Sequence, residues 1–341
     1  MTPDAPSAPR PLMVSSWNGA PATATAARLV REGTNLLDAI VRGVAIVEAD
    51  PTEMTVGYGG LPNEEGDVEL DAAVMDGPLH KAGAVAALKG IKHPAAVAME
   101  VLRRTDHALL VGEGARRFAR QVGFKEEDLL TPQAREAWLL WKSRLSSADA
   151  WIGASEHAGS FGRALEAGVE SHVSGAQHAG AEPPRTWGTI HVSGLDAAGN
   201  LFACTSTSGL SYKIPGRVGD SALVGAGIFV DNAAGSAGAT GRGEASLHNC
   251  IAYETVRSME AGLSPTEAAL ASLRRLARNT KEPRLLDERG EPAFNVTVYA
   301  LRKDGAFGAA SLRSGYTFVV QEGDRTSVLP TTPLFATPAP L

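Results

Sequence analysis

The chain has 341 residues, 44% hydrophobic and 21% charged, so it can bury a sizeable core as one large domain or two smaller ones. The formal net charge of -6, without an arginine and lysine cluster with interleaved aromatic residues, argues against a nucleic-acid partner. Cys204 and Cys250 are the two cysteines and form no CxxC motif, which argues against a disulfide framework and a structural zinc site.

The first half of the chain predicts a mixture of strands and helices. Hydrophobic alternation and apolar runs predict strands at 11–16, 68–75 and 82–88. Helical periodicity and capping residues predict helices at 22–31, 35–48, 94–104, 113–121 and from 132 through Trp138 and Trp141. The first residues lack an apolar leader region, and no stretch approaches the roughly 18 apolar residues of a membrane span. We therefore expect a cytoplasmic protein without a membrane partner.

Between about 146 and 187 the composition changes to alanine, glycine, serine and histidine. Glycines recur too often for a regular element, so this tract is predicted to be a flexible linker. It contains His157, His172 and His178, but their spacing fits no helix-borne pair of metal ligands and no carboxylate recurs beside them. A further glycine run at 225–227 lacks the third glycine and the acidic residue of a dinucleotide site. We predict neither a metal nor a cofactor.

The predicted linker ends at the dipeptide Gly188-Thr189, where strand-like sequence begins. Residues 189–195 and 201–207 read as two strands joined by a turn, so the predicted hairpin begins with Thr189. A threonine inside a chain is a poor nucleophile, but at a new N-terminus its own amine can activate its hydroxyl. A break in the chain at this step would therefore create an enzyme.

The rest of the chain predicts helices followed by strands. An amphipathic helix is expected from about 244 to 259, and Ser264-Pro265 supplies the cap and first-turn residue of a second helix. Strand-like segments close the chain at 294–301, 306–312 and 317–321. This order of strands, helices and strands predicts an α+β fold arranged as a four-layer αββα sandwich.

Two glycine-bounded loops carry candidate binding groups. Arg217 and Asp220 could present a guanidinium to a carboxylate and a carboxylate to an ammonium, as an α-amino acid requires, or they could form a local surface ion pair. The hydroxyl of Thr240 and the N–H of Gly241 could form an oxyanion hole, or they could belong to an ordinary turn. These residues alone leave both alternatives open.

Long, ordered segments of the chain resemble one enzyme family. They are TIHVSGLDAAGNL, ACTSTSGLSYKIPGRVGDSALVGAGIFVDN and ATGRGE in the second half, with SSWNG, DPTEMTVGYGG and LDAAVMDG upstream. These segments are similar to the glycosylasparaginases, which belong to the N-terminal nucleophile hydrolases together with the type 2 asparaginases. The resemblance implies an αββα fold, autocatalytic cleavage before a nucleophilic threonine, and hydrolysis of an amide on the side chain of asparagine.

The resemblance also implies catalytic roles. The bond between Gly188 and Thr189 is the cleavage site, and Thr189 is the nucleophile that cleavage releases. Thr207 orients the nucleophile. Thr240 and the N–H of Gly241 hold the oxyanion, and both therefore also contact the substrate.

The remaining implied roles concern binding of a small asparagine derivative. Arg217 binds the α-carboxylate and Asp220 the α-ammonium of the aspartyl part, while Gly243 lines the same loop and allows close backbone approach. Trp17 borders the substrate pocket, which favours the glycosylasparaginase branch. The resemblance further implies a single domain, cut into an α-subunit of residues 1–188 and a β-subunit of residues 189–341, and a pair of such αβ units.

The chain departs from the glycosylasparaginases at two points. It has Trp187-Gly188 before the nucleophile where they usually carry His-Asp, whereas isoaspartyl peptidases and plant-type asparaginases have glycine there. It also has His191, two residues after the nucleophile, where the family tends to have glycine, and we favour a structural role for it over a catalytic one. The same mechanism would serve an L-asparaginase or an isoaspartyl (β-aspartyl) peptidase, and a precursor that never cleaves would be a non-catalytic binding protein.

Overall fold

The computed structural model describes residues 11–143 and 188–336, so the predicted linker lies outside the described residues. The first part contains strands β1 (Leu12–Ser16), β2 (Glu69–Asp76), β3 (Lys81–Lys89) and β4 (Leu109–Val111). Its helices are α1 (Ala20–Arg31), α2 (Leu36–Glu48), α3 (Pro94–Arg104), α4 (Gly112–Gln121) and α5 (Pro132–Lys142). These bounds confirm the strands and helices predicted for the first half, to which the structure adds the short strand β4.

The second part opens with strands β5 (Ile190–Leu195), β6 (Leu201–Thr207), β7 (Ile228–Asp231) and β8 (Gly235–Gly241). The helices α6 (Gly243–Asn249), α7 (Ile251–Glu260) and α8 (Pro265–Asn279) follow, with a short 3-10 helix at Pro283–Leu285. Strands β9 (Val296–Arg302), β10 (Phe307–Ser311), β11 (Thr317–Glu322), β12 (Arg325–Pro330) and β13 (Thr332–Pro333) complete it. The predicted hairpin is confirmed as β5 and β6, and Thr189 directly precedes its first strand.

The strands form two sheets. The larger sheet has eight strands in the order β12-β11-β1-β5-β6-β2-β3-β4, and the smaller has five in the order β13-β10-β9-β8-β7. In the larger sheet β1 pairs antiparallel with β11 on one side and with β5 on the other. Strand β6 pairs antiparallel with both β5 and β2, with Thr207 opposite Asp71. The ends of β5 and β6 that carry Thr189 and Thr207 therefore lie side by side.

Three of the groups of buried side chains join the helices to the sheets and the sheets to each other. Helices α1 to α4 pack on the larger sheet, where Ile40 and Val101 meet Val74 and Val192. A second group joins side chains of the two sheets, including those of Val14, Met75, Ile228 and Leu301. A third group joins α7 and α8 to the smaller sheet, including Ile251, Leu273 and Val298. Burial of these apolar faces is the main stabilising contribution to an α+β fold.

The prediction of a single helix from about 244 to 259 is wrong. Cys250 adopts a left-handed backbone with a φ of 46°, which interrupts the helix and separates α6 from α7. The next helix begins as predicted, because Ser264 and Glu267 form a reciprocal capping box at the start of α8. Across residues 11–143 and 188–336, no helix is both long and apolar enough to cross a membrane.

Candidate active site

A cavity of about 460 Å³ opens where β5 begins and β6 ends, next to the loops that follow β6 and β8. The predicted site residues that line it are Gly188, Thr189, Thr207, Arg217, Asp220, Gly241 and Gly243. Residues far apart in the sequence thus meet in one concave site, which is the usual form of a small-molecule binding site. In the part of the chain that the structure describes, no group of three or more His, Cys, Asp or Glu side chains could hold a metal ion.

The Gly188-Thr189 step is buried at one wall of the cavity. The Oγ1 of Thr207 donates a hydrogen bond of 2.6 Å to the carbonyl oxygen of Gly188 and accepts one of 2.9 Å from the N–H of Gly209. The Oγ1 of Thr189 lies 3.5 Å from the hydroxyl of Ser221. In the uncut chain Thr207 therefore contacts the carbonyl that precedes the nucleophile, rather than the nucleophile itself.

Gly188 is tightly enclosed. A Cβ atom at this position would lie 2.2 Å from Oγ1 and 2.4 Å from Cβ of Thr55, closer than such atoms can approach. The backbone of Thr55 also accepts a hydrogen bond from the N–H of Ser208, which fixes this residue beside the end of β6. The structure thus gives a steric reason for glycine before Thr189.

Arg217 and Asp220 both reach the cavity, but they are not partners of each other. The Nε and Nη2 atoms of Arg217 each lie 2.8 Å from Oε1 of Glu244, at the start of α6. This contact leaves the Nη1 group of the guanidinium for a ligand carboxylate. Burial by itself would raise the pKa of Glu244, but the charge of Arg217, hydrogen bonds from Arg217 and from the backbone, and the charge of Arg242 together lower that pKa. The pair therefore stays charged and presents Arg217 in a fixed orientation.

Asp220 is a buried carboxyl of the cavity wall with one unpartnered oxygen. Its side chain is 4% exposed, and Oδ2 has no hydrogen-bond partner among residues 11–143 and 188–336. Burial raises the pKa of Asp220 to about 7, although the nearby Ser246 hydroxyl and the charge of Arg217 offset part of this effect. A bound ammonium would supply the missing partner and favour the ionised carboxylate.

Thr240 and Gly241 end strand β8 beside the cavity. Gly241 has a φ of +113°, and a Cβ there would lie 2.3 Å from the carbonyl oxygen of Asn295, so glycine is required. The Oγ1 of Thr240 lies 3.0 Å from the hydroxyl of Tyr299. If Tyr299 donates in this bond, the proton of Thr240 is free to point at a substrate oxygen. Gly241 lines the cavity, whereas Thr240 is buried directly behind it.

The structure does not bring Trp17 into the cavity lining. Trp17 lies in the turn between β1 and α1, and 51% of it is exposed. Its neighbours Ser15 and Ser16 bind the backbone of His191, with Ser15 Oγ donating to His191 O at 2.6 Å and His191 N donating to Ser16 Oγ at 3.0 Å. These bonds anchor the start of β5 and hence the segment that carries Thr189.

His191 belongs to a buried polar network between the sheets. Its Nδ1 lies 2.9 Å from the Thr205 hydroxyl and its Nε2 lies 2.8 Å from the Ser193 hydroxyl. The imidazole stacks on Tyr299 with ring centroids 6.1 Å apart. Burial lowers the pKa of His191 to about 3, so the ring is neutral. The structure therefore places His191 as a packing and hydrogen-bonding residue. It reaches Thr240 only through Tyr299, which stacks with its ring and contacts the Thr240 hydroxyl.

Sequence reasoning missed several residues of the cavity wall. Glu244 orients Arg217 and Ser221 approaches Thr189, and both lie inside the segments that resemble the glycosylasparaginases, but neither was assigned a role from the sequence. Trp141 and Tyr212 stack with ring centroids 4.5 Å apart and planes 9° apart, and both line the cavity. The sequence signals that could have found Ser221 and Glu244 are their places in these segments, next to Asp220 and Gly243.

Comparison with known proteins agrees with this site. The sequence profile of the asparaginase family matches residues 8–300. The N(4)-(β-N-acetylglucosaminyl)-L-asparaginase of Elizabethkingia miricola is 36% identical over 321 residues, covering 93% of this chain and 83% of that protein. The protein of the same name from Mus musculus is 36% identical over 304 residues, covering 89% of this chain and 85% of that protein.

Fold, cavity and similarity together define a hydrolase that acts on amide bonds. The chain belongs to the asparaginase family. Its substrates are accordingly small-molecule asparagine derivatives.

Proposed function

We propose that the chain cleaves itself between Gly188 and Thr189 and then uses Thr189 to hydrolyse the side-chain amide of glycosylated asparagine. The observation that carries the proposal is the 2.6 Å hydrogen bond from Thr207 to the Gly188 carbonyl oxygen, directly before a buried threonine in the cavity. The similarity to enzymes named for N(4)-(β-N-acetylglucosaminyl)-L-asparagine supports the glycosylated leaving group.

Cleavage would proceed by an acyl shift. The Thr189 hydroxyl attacks the carbonyl carbon of Gly188, and Thr207 stabilises the negative charge that develops on the Gly188 oxygen. The carbon–nitrogen bond then breaks, the nitrogen takes up a proton, and Gly188 is left as an ester on Thr189. Water hydrolyses this ester, which gives a carboxylate on Gly188 and a free amine on Thr189.

The free amine would then serve as the general base. Its reference pKa of about 7.7–8.0 lies close to neutral pH, so it can take the proton from the Thr189 hydroxyl and return it later. The hydroxyl attacks the side-chain carbonyl carbon of the substrate, and Thr240 with the Gly241 N–H holds the oxyanion. The amino sugar leaves with the proton of the Thr189 ammonium. Water, deprotonated by the same amine, hydrolyses the aspartyl ester and releases aspartate.

The binding groups would position the aspartyl part of the substrate. Arg217, held by Glu244, receives the α-carboxylate, and the buried carboxylate of Asp220 receives the α-ammonium. Gly243 keeps this wall open, because a Cβ there would lie 3.0 Å from both Arg217 Nη2 and Asp220 Oδ1. This binding mode selects an α-amino acid before any choice of leaving group.

The proposal also covers how the sheets and helices are layered and how cleavage divides the chain. The two sheets and their helices would stack as a four-layer αββα sandwich in a single domain, which cleavage divides into residues 1–188 and 189–341. The two core groups on the outer faces of the sheets and the one between them support this arrangement. We also propose a cytoplasmic dimer of αβ units, which rests on the family resemblance and composition.

One experiment tests both parts of the function. Purified wild type should give two fragments on a denaturing gel, with mass spectrometry assigning Thr189 as the new N-terminus, and Thr189→Ala should give one uncut, inactive chain. Wild type is then assayed with N4-(β-N-acetylglucosaminyl)-asparagine, asparagine and a β-aspartyl dipeptide. A cleaved or active Thr189→Ala variant would contradict the mechanism, and a preference for asparagine or the dipeptide would contradict the leaving group.

A further inference from the structure

The stacked pair of Trp141 and Tyr212 is held rigidly at the cavity. Tyr212 has a φ of 57°, a left-handed conformation that is unfavourable for a non-glycine residue. Its hydroxyl donates to the Ala137 carbonyl at 3.2 Å and its N–H donates to the Pro62 carbonyl at 2.8 Å. Because its backbone and its hydroxyl are both bound, Tyr212 gives the indole of Trp141 a fixed support at the cavity wall.

The cavity is larger than the aspartyl group needs. Its volume of about 460 Å³ suits a drug-sized ligand, for which roughly 300–1,000 Å³ is typical. Arg217 and Asp220 account for the charged groups of the aspartyl part, which is far smaller than such a ligand. The rest of the cavity lining includes Trp141 and Tyr212, and also Arg242 and Arg284. A leaving group attached to the side-chain amide has to occupy the space that the aspartyl part leaves.

The chemistry of that space fits a sugar ring. One face of a pyranose presents C–H groups, which pack well on the electron-rich face of an aromatic ring. Sugar hydroxyls and an acetamido oxygen accept hydrogen bonds from guanidinium groups such as those of Arg242 and Arg284. The guanidinium of Arg242 is itself positioned over the ring of Phe294, 5.5 Å from its centroid.

We propose that Trp141, supported by Tyr212, forms the subsite for the sugar ring of the leaving group and thereby selects glycosylated asparagine over free asparagine. This inference rests on the proposed function, because it concerns the same reaction and the same cavity. Trp141 acts on specificity only, since the aspartyl-binding and oxyanion groups lie on other elements.

Steady-state kinetics of Trp141→Ala test the subsite. For N4-(β-N-acetylglucosaminyl)-asparagine we expect kcat/KM to fall about tenfold, equivalent to about 1.4 kcal/mol, mainly through a higher KM. For asparagine we expect a change of less than about twofold, since ammonia does not reach the indole. Trp141→Phe keeps a flat ring and should recover part of the loss.

Trp138→Ala is the matched control. Trp138 lies one turn earlier on α5 and donates from Nε1 to the Glu64 carbonyl at 3.2 Å, outside the cavity lining. The Trp138→Ala substitution should leave the ratio of kcat/KM for the glycosylated substrate to kcat/KM for asparagine unchanged. An equal loss of both activities in Trp141→Ala, or an equal effect on a β-aspartyl dipeptide, would overturn the sugar subsite. Failure of wild type itself to hydrolyse the glycosylated substrate would instead overturn the proposed function, and is visible without any variant.

Discussion

The hydroxyl of Thr207 donates to the carbonyl oxygen of Gly188 while it accepts the N–H of Gly209. Since the Gly209 N–H occupies the acceptor side of the hydroxyl, its proton is directed at Gly188. The carbonyl that Thr189 would attack is thus already bound to a donor before any charge develops. Pre-positioned donors of this kind are among the largest contributions to catalysis.

Thr207→Val should slow cleavage. Loss of one oxyanion donor costs roughly 10²- to 10³-fold in rate, so we expect cleavage slowed by about 10². Ser206→Ala is the matched control, because Ser206 lies on the same strand but donates to Glu48 on the opposite face of the sheet. Time courses on denaturing gels measure both. Cleavage of Thr207→Val at the wild-type rate would contradict the role of this hydrogen bond.

Gly188→Ala should also slow cleavage, for a steric reason. The added methyl group would overlap with Thr55 and displace the bond to be cleaved. Pairing it with Thr55→Gly removes the overlapping atoms and should restore cleavage at least in part. Gly114→Ala is a suitable control, since a Cβ there meets nothing within 4 Å. A double variant that remains as slow as Gly188→Ala would rule out this explanation.

Asp220→Asn should stabilise the fold while it weakens substrate binding. Burial raises the pKa of Asp220 from 3.8 to about 7, so between these pH values the folded chain binds more protons than the unfolded chain. Stability is therefore lost as the pH rises through this window, and the full cost is present above pH 7. In a Thr189→Ala background, which keeps the chain whole, the variant should melt at a higher temperature than its parent at pH 8 and close to it at pH 4.

The same substitution made in the cleaving chain should lower kcat/KM by about 10²-fold, because the α-ammonium loses its carboxylate. Asp106→Asn is the control for both measurements, since the Asp106 side chain is 100% exposed. Unchanged turnover in Asp220→Asn would mean that the ammonium binds elsewhere. A lower melting temperature at pH 8 would mean that the carboxylate is stabilised by a partner in the folded chain.

Tyr299→Phe should lower kcat and leave KM nearly unchanged. Tyr299 contacts Thr240 at 3.0 Å and does not line the cavity, so in the proposed mechanism it would act as a positioning residue for the oxyanion donor. Without its hydroxyl, the proton of Thr240 is no longer directed, and we expect kcat to fall about tenfold. Tyr253→Phe, in which the ring is 44% exposed, is the control. A change in KM alone would indicate a different role.

Much of the site could be predicted because its signals are local. The hairpin that begins at Thr189 follows from hydrophobic alternation and a turn, and Arg217 and Asp220 stand on one short loop. Strand β8 could not be predicted, because its sequence GSAGATG is poor in strand-forming residues. Its glycines are required by residues distant in the sequence, since a Cβ on Gly238 would lie 2.1 Å from the His191 ring.

Other features depend on contacts that the sequence does not encode locally. Glu244 meets Arg217 because the loop after β6 folds back onto the start of α6. The stacking of Trp141 on Tyr212 requires a left-handed tyrosine, for which neither the residue type nor its neighbours give a signal. The helix break at Cys250 likewise requires a left-handed backbone at a residue that is not glycine. In each case tertiary packing overrides local preference.

The order of strands in the larger sheet means that cutting the chain would not create two independent proteins. Strand β1, from before Gly188, is inserted between β5 and β11, and β2 is paired with β6. Either piece alone would have a sheet with missing strands and exposed edges. Folding of the whole chain would therefore have to precede cleavage. The two pieces, once separated by denaturation, would not be expected to refold into the same structure.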